Sequence, residues 1–98
     1  MAQNTNISIG SLVYTPLCNA DVTAARVQNQ SGVDIYIQAA ASATAPTSND
    51  GAILIRAYDT FAADYTLAQI FPGITGANRL YAKSTSSGQP AVVSVSHA

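Results

Sequence analysis

Apolar and polar residues alternate with a period of two along most of this chain, and side chains spaced in that way point to opposite faces of a β-strand. The clearest run extends from Val33 to Ala39. It sends Val33, Ile35, Ile37 and Ala39 to one face and Asp34, Tyr36 and Gln38 to the other. Ile7 and Ile9 mark a first strand over residues 6 to 14, interrupted near Gly10 and ended by Pro16. In "DVTAARVQNQ", Thr23, Ala25, Val27 and Asn29 share one face, opposite Val22, Ala24, Arg26 and Gln28. Ile53, Leu54 and Ile55 are consecutive, which makes both faces of their strand apolar and predicts a central strand or one lying against a partner. "NRLYAKS" and "PAVVSVSHA" alternate again.

The breaks between these runs predict how they connect. Gln30-Ser31-Gly32 reads as a tight turn, with glycine free to be left-handed, closing a hairpin between the second strand and the Val33 to Ala39 run. The polar turn "TSSGQ" reads as a second hairpin at the C-terminal end. "AAASATAPTSNDG" has no period and carries the Asn49-Asp50-Gly51 turn signal, so it reads as a surface loop, with an alanine-rich helix over residues 39 to 45 as the rival. Thr66 is placed to cap one or two helical turns holding Leu67, Ile70 and Phe71. Pro72-Gly73 stops that helix, Gly73 and Gly76 supply bends, and the turn plugs one end of the fold.

Together these signals predict an all-β chain: a single antiparallel β-sandwich domain over residues 1–98, of about six or seven strands, with a short helical turn near residues 66–71. Its core is expected to hold Ile35, Ile37, Ile53, Ile55, Leu80, Val93 and Val95. Residues 1–6, with the polar "AQNTN", read as an N-terminal arm that orders on contact.

Composition sharpens the reading of the surface. In 98 residues, 48 % are hydrophobic, enough for a core, and only 9 % are charged, against about 25 % in ordinary globular domains. A surface so poor in charge is easily buried against another protein. The net charge of -1 leaves no basic face for phosphates, so nucleic acid is not expected as a partner. No apolar run approaches the ~20 residues of a membrane span, and the start "MAQNTNISIG" lacks the pattern of a signal peptide, so neither a membrane nor secretion is expected.

Candidate chemistry is sparse. Cys18 reads as a small buried hydrophobe, and His97, near the end of the sequence, reads as part of a fraying strand. Asp59 and Asp64 fit turn and capping roles, and "SNDG" lacks the spacing and closing glutamate of a calcium loop. No catalytic, cofactor or metal site is expected. The residues that suggest binding are Ile53, Leu54 and Ile55 with Tyr58, and Arg79, Tyr81 and Lys83, which share one strand face; that alternation suits a solvated strand face or the Tyr- and Arg-rich rim of a protein interface more often than a stacking platform for nucleic-acid bases.

The strings "APT" at residues 45 to 47, "DGAILI", "LAQIFPGITGANRLYA" and the final "VSVSHA" resemble those of small β-rich accessory virion proteins of tailed bacteriophages, over residues 25 to 98. That resemblance implies a capsid decoration, or cement, protein: a homo-oligomer binding major capsid protein on the outer surface of the head, made in the host cytoplasm. A head- or tail-fibre component that binds a receptor or carbohydrate is the alternative. That reading would use exposed aromatics beside carboxylates, for which Tyr58, Asp59 and Asp64 are the local candidates.

Overall fold

The computed structural model describes residues 2–18, 20–61, 64–86 and 88–97, and these residues form a nearly all-β, sandwich-like fold. Among them, eight strands make two antiparallel four-stranded sheets. The strands are β1 (Gln3–Ile9), β2 (Thr15–Pro16), β3 (Arg26–Asn29), β4 (Ile35–Ala40), β5 (Ile53–Ile55), β6 (Thr60–Phe61), β7 (Arg79–Ser84) and β8 (Ala91–His97). One sheet has the order β1-β8-β3-β6 and the other β2-β7-β4-β5. The two-residue strands β2 and β6 are too short to show any alternation, which accounts for the smaller number expected from sequence. Met1 of the expected arm, Ala62 and Ala63 of the expected connector and Ser87 of the expected polar turn lie outside the described residues.

The inward faces of the longer strands are mainly apolar. Ile35, Ile37 and Ala39 of β4 and Leu80 and Ala82 of β7 meet Val27 of β3 and Val93 and Val95 of β8 in one cluster. All seven expected core residues take part, Ile53 only half-buried against it. The helical turn α1 (Leu67–Ile70) also forms as expected. Thr66 Oγ1 accepts the Gln69 backbone N–H, Gln69 Oε1 accepts that of Thr66, and Leu67 and Phe71 drop into the core.

Both expected hairpins are corrected. β3 and β4 lie in different sheets, as do β7 and β8, so each connection arches across the core. A hairpin and an arch send the same residues inward, and alternation therefore cannot distinguish them. What turns the first arch is Asn29. Fully buried at the end of β3, it donates from Nδ2 to the carbonyls of Val33 and Arg56, and its Oδ1 accepts the N–H and hydroxyl of Ser31. This amide holds the corner, and Gly32 keeps a negative φ. Among the described strands, β4 and β5 are the consecutive pair that do form a hairpin.

Three further expectations change. β5 is an edge strand, so its apolar outer residue is not covered by a neighbour within the sheet. The arm is sheet as well: Gln3, Asn4, Thr5 and Asn6 pair with His97, Ser96, Val95 and Ser94. His97 does not fray, being buried with its Nε2 3.1 Å from Gln3 Oε1.

Candidate interaction surface

Strand directions sort the connections into two ends. The loop after β1, the β3–β4 arch, the turn after β5 and the β7–β8 connection lie at one end, while α1 and the chain before β3 and β7 lie at the other, joined where Leu67 N–H meets Thr23 and Asn78 N–H meets Ala40. The first end, opposite the helical plug, carries large apolar side chains in water. Leu12 is 86 % exposed and Val13 70 %, in the loop between Gly10 and Tyr14. That loop is held from behind, since Ser84 N–H bonds to Gly10 and Gly88 N–H to Ser11 Oγ. Two large apolar residues are thus presented to solvent on an anchored loop, where little packing within the chain uses them.

Tyr58 stands at the same end on the far edge. It is 66 % exposed and has a φ of 66°, a left-handed backbone that is unfavourable for an aromatic residue. The turn is kept in this shape by Asp59 N–H donating to Arg56 O and Ala57 N–H to Asp34 Oδ1. Strain held in place around a side chain that gains little burial is a recognised mark of a working surface.

The seven interface residues expected from sequence do not form one patch. Ile53 and Ile55 turn to the core, and Leu54 alone of the three faces outward, half-exposed. Leu54 lies opposite Tyr36, and Tyr36 opposite Lys83, so these three make one row across the outer face of their sheet. At its far end Lys83 Nζ sits 5.1 Å over the Tyr14 ring. Arg79 is tied to Asp21, Nε to Oδ1 at 2.7 Å. Tyr81 points outward from its sheet but is buried within the chain.

Its cover is the loop over residues 41–50. Tyr81 donates its hydroxyl proton to Ser42 O, Gln38 Nε2 donates to Ser48 O at 2.7 Å and to the Tyr14 hydroxyl, and Tyr14 donates to Asn49 Oδ1 at 2.8 Å. The "SNDG" turn, with Gly51 at φ 77°, is thus the clasp of a lid over the sheet. Burial raises the Tyr14 hydroxyl above its ordinary value, opposed by the bond from Gln38 and assisted by nearby Tyr36. Cys18 lies in the core, and burial raises its thiol likewise, opposed by a backbone bond to Leu80 and the charge of Arg79.

Sequence reasoning misses Leu12 and Val13 because the strand it predicts runs on to residue 14. The available signal was Gly10-Ser11, which already marks the end of that strand. Among the described residues, no three His, Cys, Asp or Glu side chains come together as a metal-ligand group. Comparison with protein-family models, curated proteins and solved structures gives no match for this chain.

Proposed function

We propose that this protein is a structural virion component that decorates and stabilises a bacteriophage capsid, docking on major capsid protein through the loop end that carries Leu12 and Val13. The observation that carries the reading is the exposure of those two side chains on a loop pinned from behind. A rigid apolar point is what a binding module needs to fill a pocket on its partner without a large ordering cost. The low charge of the chain supports the same reading, because a repeating shell surface can then be covered with little electrostatic repulsion between neighbouring copies. The sequence resemblance supplies the capsid as the partner.

The fibre alternative draws on a different observation. Tyr58 and Tyr65 are 66 % and 63 % exposed, and each is next in sequence to a carboxylate, Asp59 or Asp64, a pairing suited to stacking on a sugar while accepting its hydroxyls. Particles stripped of the protein decide between the two. In the cement reading, stripped particles rebind purified protein in many copies per head and recover resistance to heat and osmotic shock. Particles that are equally robust without it but fail to attach to cells would establish the fibre reading instead.

A further inference from the structure

We propose that β5 is a self-association edge, at which two copies pair their Ile53–Ile55 strands antiparallel across a two-fold axis centred on Leu54, joining two four-stranded sheets into one of eight strands. The inference is independent of what the loop end binds.

The direction of the backbone comes first. Asp34 O accepts Thr85 N–H and Ala40 O accepts Asn78 N–H, so the even-numbered residues of β4 turn their backbone groups toward β7. The odd ones, Ile35 and Ile37, therefore bond to β5, at Ile55 and Ile53. Leu54 must then aim its N–H and C=O away from β4, into the open edge. Among the described residues, no backbone hydrogen bond outside the strand ladder involves Leu54. An antiparallel pair centred there would exchange two hydrogen bonds, Leu54 with the second copy's Leu54.

Side chains fit the same register. On the inner face, Ile53, half-buried in the single chain, would meet the second copy's Ile55 and complete its cover. On the outer face, the row Lys83, Tyr36, Leu54 would continue into its own mirror, bringing two half-exposed leucines together between two tyrosines. Beyond the paired residues, Arg56 of one copy comes level with the Asn49–Ala52 turn of the other, where Asp50 supplies the opposite charge. Both are exposed, and among the described residues the ion pair formed is a different one, Arg79 with Asp21. The other edges are guarded in ways β5 is not: β2 contains Pro16, β6 has two residues, and β1 sets Asn4, Asn6 and Ser8 outward. β5 carries no charge, proline or bulge to refuse a partner.

Sedimentation across a concentration series reads the dimer directly. Leu54→Lys sets two like charges together at the axis and is expected to weaken association by roughly 30-fold or more, the effect of losing a central contact. Leu54→Pro removes the outward N–H together with the leucine side chain while leaving the bonds to β4 in place, and is expected to weaken it as well. In a Cys18→Ser background, Leu54→Cys should oxidise to a symmetric disulfide-linked dimer, because facing residues of a hydrogen-bonded antiparallel pair stand about 5.5 Å apart at Cα. A monomer at every concentration, or a dimer indifferent to Leu54→Lys and Leu54→Pro in variants with unchanged urea midpoints, overturns the proposal. Leu12 and Val13 are untouched in all of these variants, so particle binding by them tests the docking end separately.

Discussion

Asn29 Nδ2 donates to the carbonyl oxygen of Arg56 at 3.2 Å, and through this bond a fully buried amide at the end of one sheet fixes the turn that closes the edge strand of the other. The same side chain holds Val33 and Ser31, so it serves both the arch and the strained turn at Tyr58. Asn29→Ala takes the acceptor from the Ser31 N–H and one of two donors from each of the Val33 and Arg56 carbonyls, which keep the Ser31 hydroxyl and the Asp59 N–H. We expect it to cost about 2 kcal/mol, since a buried group left unsatisfied costs on the order of 1–3 kcal/mol. Urea denaturation checks this, as a lower midpoint at unchanged slope; a shift within about 0.5 kcal/mol would mean that water replaces the amide.

The reach of sequence reasoning follows from what alternation encodes. It reports which side chains face inward, so Ile35, Ile37, Leu80, Val93 and Val95 were readable as core, and the Thr66 cap was readable from local chemistry. It does not report which strand lies alongside which. The arches at Asn29 and after Ser84 look like hairpins for that reason, and the consecutive apolar run at Ile53, which fits a central strand or one against a partner, lies at an edge, so the central alternative is the one that fails. Tyr81 shows a second limit: it faces outward as expected, yet a loop distant in sequence covers it, its hydroxyl bonding to Ser42 O 39 residues earlier, through bonds whose partners no local pattern reveals.

The N-terminal residues make the structure testable where it departs from the sequence expectation. An arm that orders only on contact could be removed at little cost to the fold. Here Gln3 to Asn6 make four of the seven register pairs of β1, and Gln3 also donates to Leu17 O. Deleting residues 1–6 is expected to cost on the order of 3 kcal/mol, at about 1 kcal/mol net per hydrogen bond lost. In a domain of this size that is a drop of roughly 12 °C or more in Tm. An unchanged melting curve would restore the arm.

Stability should fall in alkali through Cys18 and Tyr14. Burial raises both groups above their ordinary values of 9.0 and 10.0, so the unfolded chain gives up these protons at lower pH than the folded one. Their stabilising contribution is complete below those ordinary values. It is lost as pH rises through the higher folded-state values, because the unfolded state then binds fewer protons. Cys18→Ala should flatten the first part of the decline and Tyr14→Phe the later part, measured as urea midpoints from about pH 8 to about pH 11. Identical slopes in wild type and both variants would place the alkaline loss elsewhere. The same burial should leave Cys18 slow to react with thiol reagents until the chain unfolds.

Leu12 and Val13 give the sharpest test of the docking end, because fold and binding separate there. Both side chains are mostly in water, so replacing each with Ser removes little packing and should leave stability within about 0.5 kcal/mol. If they fill pockets on a capsid surface, the double variant should lose most of its binding to stripped particles, as expected when central apolar anchors are removed. Salt supplies an independent readout. The loop from Gly10 to Tyr14 carries no Lys or Arg and one cation, Lys83, stands beside it over the Tyr14 ring, so affinity at this contact should fall only slightly between low and high ionic strength, whereas a contact built on several charges would weaken steeply. Tyr58→Ala serves as the counterpart at the other edge of the same end. If the tyrosine variant loses binding to cells while the Leu12 and Val13 variant keeps its place on particles, the docking end is the Tyr58 side, and the protein recognises a receptor.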